Sequence, residues 1–100
     1  DIIVTLSGEL YHTDAAEILS CVRDAIAEGG CVIELDSLEK MEFGPLQVLV
    51  AASQEARSLG IPFAVQAPDG GVFDETLALH GLSLSVFDRT YAVPDQNTGV

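Results

Sequence analysis

Residues 38–62 read LEKMEFGPLQVLVAASQEARSLGIP, and the reading of this stretch decides the fold. Leu46, Leu49, Val50, Ala56 and Leu59 recur at helical spacing, which predicts a helix from about Pro45 to Leu59. Proline suits the first helical position because its missing N–H has no intrahelical partner there. Gly60 closes the helix by tolerating positive φ, and Pro62 prevents its resumption. One residue is unexpected. Phe43 stands directly before Gly44-Pro45, where Ser, Thr, Asp or Asn is the ordinary capping choice.

Working outward, "CVIELD" (31–36) reads as a short apolar strand and "DSLEKMEF" (36–43) as a polar connector. "IPFAVQ" (61–66) is the next strand, and "APDGG" (67–71) a turn whose glycines permit positive φ. Towards the start, "IIVTL" (2–6) is a β-branched strand ending at Ser7-Gly8. A first helix follows, with Ala15, Ile18, Leu19, Val22, Ala25 and Ile26 on one face and Gly29-Gly30 as its stop. Asp14 and Glu17 have capping-box spacing, and Thr13 is a second cap candidate. "VFDETLALHG" (72–81) predicts a short third helix burying Val72, Phe73, Leu77 and Leu79, with His80 at its C-terminal end. "LSLSVF" (82–87) reads as a last strand.

Strand and helix thus alternate, which implies right-handed crossovers and a mainly parallel sheet of four strands or slightly more. The short connectors put the helices mostly on one face. The expectation is a single small α/β domain over residues 1–90, with 91–100 as a polar tail that frays.

The chain has 100 residues, 48% of them apolar, enough for one buried core. Sixteen acidic residues against four basic ones give a net charge of −12. Such a surface repels nucleic-acid backbones and anionic lipid heads and suits a basic protein partner. No apolar run approaches a membrane span, and the first residues show no charged-then-apolar leader pattern. Cys21 and Cys31 lack CxxC or zinc spacing, so they read as reduced thiols of a cytoplasmic protein.

Residues able to carry catalysis are few. No phosphate-binding loop, dinucleotide fingerprint, zinc-protease or serine-hydrolase motif occurs. His12 and Cys21 stand about two and a half helical turns apart, too far for a thiol–imidazole pair. Asp36, Glu39 and Glu42 form one acidic group and Asp69, Asp74 and Glu75 another; each reads as a solvated face rather than a cation site. The expectation is a non-enzymatic protein without cofactor or metal. Recognition is the better reading: Tyr11, His12 and Phe43 lie on loops that follow the carboxyl ends of strands. For Phe43 two readings stand at this point, an inward hydrophobic staple and an outward anchor.

Three segments carry a family resemblance. "VTLSGELYHTDAAEI" (4–18) resembles the opening of STAS domains, the sulphate-transporter and anti-sigma-factor-antagonist family. "VIELDSLEKMEFGPLQVLVAASQEARSLGIPFAVQAP" (32–68) is similar to that family's central segment, and "VFDETLALHGLSLSVF" (72–87) to its closing one. The resemblance implies a small α/β domain that works by binding proteins, with phosphorylation releasing the partner in many members. The family's acceptor is the Ser or Thr after the Asp of a DSSG or DTSG motif, at the start of the second helix. Carried across, that Asp is Glu42, the acceptor Phe43, the next Ser Gly44 and the Gly Pro45, while an earlier DLS becomes Glu34-Leu35-Asp36. Phe43 has no hydroxyl, so this chain is not switched at the family's position. Ser37 and Thr13 read as turn or cap residues rather than substitutes.

The resemblance therefore implies a binding module of a bacterial regulatory pathway, with an anti-sigma factor or histidine-kinase-like partner. The surface expected to meet that partner comprises Tyr11, His12, Glu42, Phe43, Gly44, Pro45 and Leu46. Two alternatives follow from the same family: an accessory subunit bound to the ATPase of a lipid-transport ABC system, and a small-molecule sensor using the cleft near His12 and the Asp69–Gly71 turn.

Overall fold

The computed structural model describes residues 2–83, 87 and 89–93. In chain order they form β1 (Ile2–Thr5), β2 (Gly8–Leu10), a 3-10 turn (His12–Asp14), α1 (Ala15–Ala27), β3 (Cys31–Glu34), β4 (Leu38–Met41), α2 (Phe43–Leu59), β5 (Phe63–Pro68), α3 (Val72–Leu79) and β6 (Arg89–Val93). One sheet has the order β1-β3-β5-β6 and a second pairs β2 with β4; every pairing is parallel. This is the small α/β architecture that the alternation predicts.

Alternation of side chains across the strands sorts the main sheet into two faces. Val4, Ile33 and Val65 are in register, and all three are buried with Cys31, Phe63 and Ala67. Against them α1 lays Ile18, Val22, Ala25 and Ile26, and α2 lays Leu46, Leu49, Ala52 and Ala56. Full burial of each large side chain contributes roughly 1.5–3 kcal/mol. Phe87 closes the other end of the core, with ring centroids 5.8 Å from Phe73 and 6.4 Å from Phe63. The opposite face is more polar: Thr5 Oγ1 donates to Glu34 Oε2 at 3.1 Å, and Gln66 Nε2 to Asp36 Oδ2 at 3.3 Å.

Several expectations are corrected. The connector expected at 36–43 contains β4, which pairs with β2. Sequence period misses it because the ladder carries a bulge: Gly8 faces Leu38 but Glu9 faces Lys40. The extra residue, Glu39, lets Leu38 and Met41 both turn inward although they are three apart. Asp14 and Glu17 do not form the expected box; Asp14 Oδ2 instead accepts the Tyr11 N–H at 2.7 Å, closing the 3-10 turn. Leu59 and Leu79 continue a helical period past the last packing partner and are 60% and 80% exposed. Helix α2 starts two residues before Pro45, which occupies the third helical position; the first four N–H groups of a helix lack intrahelical partners, so proline is accommodated there too. Its far end is as expected. Gly60 adopts φ 70, and the Ile61 N–H reaches the Ala56 carbonyl at 2.9 Å. Of the strand expected at 82–87, residues 84–86 lie outside the described residues, and 82, 83 and 87 are not in a strand. The strand pairing with β5 is Arg89–Val93, which takes residues 91–93 from the expected tail; 94–100 lie outside the described residues.

Candidate functional site

The β2–β4 pair is what builds the candidate site. Leu10 and Met41 are in register, so the next residues, Tyr11 and Glu42, emerge side by side at the carboxyl ends of two parallel strands. The Glu42 N–H still donates to the Leu10 carbonyl at 2.9 Å, which fixes the two exits together. Beyond this point the chains part, one into the 3-10 turn and one into α2.

Glu42 is the residue before α2, with extended backbone (φ −78, ψ 168), yet its side chain does not cap that helix. Its Oε1 accepts the His12 N–H at 2.5 Å instead, tying the start of the 3-10 turn to the start of α2. Such close approach depends on Gly44. A Cβ at that position meets His12 Nδ1 at 2.8 Å, closer than real contacts allow. The imidazole therefore rests where a side chain at 44 would stand.

Tyr11 is held from three sides. Its N–H donates to Asp14, its hydroxyl donates to the Glu9 carboxylate, and Lys40 Nζ lies 5.0 Å from the ring centroid. The last contact is a cation–π pair worth roughly 0.5–1 kcal/mol at an exposed position. The hydrogen bond to Glu9 raises the pKa of the phenol; desolvation and the charges of Glu9, Glu42 and Asp14 act in the same direction. Tyr11 nevertheless remains 39% exposed.

Phe43, the first residue of α2, is 44% exposed, and its ring lies on His80 with centroids 4.5 Å apart. It is thus neither an inward staple nor a free side chain, but a half-covered ring propped by the end of α3. His80 is the residue that sequence reasoning placed only as a helix end. Nothing in the local sequence signals its partnership with Phe43, because the contact is made by tertiary packing of α3 beside β4.

Of the seven residues expected on this surface, Tyr11, His12 and Phe43 are exposed, and Glu42 and Gly44 are half-buried. Pro45 and Leu46 are buried in the core, so they anchor the helix beneath the surface instead of presenting to a partner. The other candidates lie elsewhere. Asp74 Oδ2 accepts the Gly70 N–H at 2.7 Å within its own turn, and Asp36 is hydrogen-bonded beside Glu34 and Gln66. Among the described residues no group of three His, Cys, Asp or Glu side chains is placed to hold a metal ion. Cys21 is exposed on α1, Cys31 is buried in β3, and both are free thiols. No described helix is long and apolar enough to cross a membrane.

Chemically, the site offers two aromatic faces and an imidazole amid carboxylates. No curated protein matches the chain. A family model does: the STAS domain model matches residues 1–96, nearly the whole chain and every described element. With its parallel strands, its helices on one face and its exposed second-helix start, the chain belongs to the STAS domain family, whose members serve in general as non-catalytic modules of protein interaction.

Proposed function

We propose that this STAS domain is a regulatory binding module that presents the start of α2 to a protein partner, with Phe43 as the apolar anchor. The observation that carries the reading is the exposed Phe43 ring, packed on His80 at the start of the helix that Glu42 ties to His12. A half-exposed aromatic ring on a rigid helix loses little entropy on binding and suits the centre of a desolvated patch. Glu9 and Asp14 hold Tyr11, and Glu42 stands directly before Phe43, so the fitting partner has an apolar pocket bordered by basic residues. An anti-sigma factor or a histidine-kinase-like protein is the class we favour. Because position 43 holds no hydroxyl, control of binding lies with the partner or with partner concentration, not with phosphorylation at this residue.

The test is quantitative capture from a lysate of the native cells with the wild-type domain and with Phe43→Asp. Asp at the first turn of a helix is favoured by the macrodipole, so the variant keeps its fold. Loss of an anchor weakens binding by at least about 2 kcal/mol, roughly 30-fold, and the specific partner should vanish from the captured set. A partner retained equally by both proteins refutes the role of Phe43.

A further inference from the structure

We propose that Glu42 is a positioning residue for the Phe43 anchor: by clasping His12 it stands in for the cap that α2 lacks, so the first turn of α2 is ordered from outside the helix. The functional meaning of this rests on Phe43 being the anchor; its mechanism rests on contacts within the domain alone.

A helix start needs partners for its first N–H groups, and a capping side chain ordinarily accepts the N–H of the second or third helical residue. In α2 the third residue is Pro45, which has no N–H, and no side chain caps the helix. A capping box fails for the same reason, since its reciprocal Glu or Gln belongs at that third position. The first intrahelical bond runs from the Leu46 N–H to the Glu42 carbonyl at 3.4 Å, beyond the usual range of about 2.7–3.2 Å. By its own bonds, the turn that carries Phe43 is weakly held.

What holds it comes from other parts of the chain. Glu42 Oε1 accepts the His12 N–H at 2.5 Å, a contact between residues 30 apart in sequence. The His12 imidazole lies against Gly44, where a Cβ would stand 2.8 Å from Nδ1. The His80 ring lies 4.5 Å from that of Phe43. The chain has two histidines, and they pack on the first two residues of this turn, one on each. The Glu42 N–H is engaged as well, donating to the Leu10 carbonyl at 2.9 Å. A bond to a carboxylate is roughly twice as strong as one between neutral groups, so the clasp outweighs the bond to Leu10. Opening the clasp leaves Phe43 on an uncapped turn.

Three substitutions at position 42 test this, read by amide exchange and by the imidazole signals in NMR. Glu42→Ala removes the clasp and supplies no cap. Exchange at His12 and Leu46 should both quicken about tenfold or more relative to Ile33 in the core, and the His80 ring signals should move towards those of Phe43→Ala. Glu42→Gln keeps a side-chain oxygen as acceptor and should restore Leu46 exchange to within about threefold of wild type. Glu42→Ser is too short to reach His12, but its hydroxyl can accept the Gly44 N–H. Here His12 should quicken while Leu46 does not; Ser is a favoured cap, so this variant keeps the fold even if Glu42→Ala loses it. The proposal is overturned if Leu46 exchange and the His80 signals in Glu42→Ala match wild type, or if Glu42→Gln behaves as Glu42→Ala. It is overturned equally if Leu46 quickens as much in Glu42→Ser as in Glu42→Ala, or if Ile33 quickens in step with Leu46, the mark of a general loss of stability. None of these readouts needs a partner, so failure here is distinct from the failure of Phe43→Asp to lose one.

Discussion

Phe43→Ala separates a surface anchor from a core residue by its cost in stability. The ring is 44% exposed, so a little over half of it is removed from water. Full burial of a Phe side chain contributes roughly 1.5–3 kcal/mol, which leaves about 0.8–1.7 kcal/mol for this one. Ala is the better helix former by a few tenths of a kcal/mol, and this offsets part of the loss. The net expectation is a destabilisation of about 1 kcal/mol, read as a shift in the urea midpoint at unchanged m-value. Phe73, 1% exposed, provides the contrast: Phe73→Ala should cost about 3–5 kcal/mol. The ring contact with His80 can be isolated by a double-mutant cycle of Phe43→Ala and His80→Ala, with a coupling of about 0.5–1.5 kcal/mol. A loss above about 3 kcal/mol for Phe43→Ala, or a coupling near zero, refutes the picture of a half-covered ring propped on His80.

Four further outcomes follow from the packing. Ser53 Oγ is buried in α2 without a hydrogen-bond partner, so Ser53→Ala should stabilise the domain by about 1 kcal/mol in thermal or urea melts. Gly44→Ala should displace the His12 ring, seen as a change in its NMR signals, while stability moves by less than about 1 kcal/mol, because the exposed imidazole can swing aside. Burial, with a smaller contribution from Cys21, raises the Cys31 thiol from 9.0 to about 11. The folded thiol therefore stays protonated while the unfolded one ionises, so stability declines as pH rises above 9.0 and the decline levels off near 11. Mass spectrometry after alkylation of the native protein should find Cys21 modified and Cys31 untouched until urea is added.

Much of this fold is legible in the sequence, for a reason visible in α2. Its apolar positions repeat without interruption, Gly60 and Pro62 mark its end, and the flanking strands are continuous apolar runs. The missed β4 shows the opposite case. Leu38 and Met41 both face inward only because a bulge absorbs Glu39, and no two-residue period survives to be read. Leu59 and Leu79 mislead in another way: periodicity continues to the end of a helix, whereas packing stops where the neighbouring element stops. At the candidate site, Tyr11, His12 and Phe43 were legible as residues on neighbouring loops. Their arrangement was not, because it rests on long-range contacts: Glu42 to His12, Gly44 against His12, and Phe43 on His80. Leu46 illustrates the limit of proximity in sequence, since it lies three residues from Phe43 and yet is wholly buried.

The two strand pairs have a joint consequence. β1 and β2 belong to one stretch of chain, and β3 and β4 to another, with bridging bonds from Leu6 to Glu34 and from Gly8 to Ser37. The first stretch therefore runs as one tethered ribbon from Ile3 to the exit at Tyr11, roughly 25–30 Å at strand rise. Anything that orders one end of this ribbon restricts the other, since both draw on the same conformational freedom. Weakening the ladder between β1 and β3 should therefore register at the Tyr11 exit as faster amide exchange.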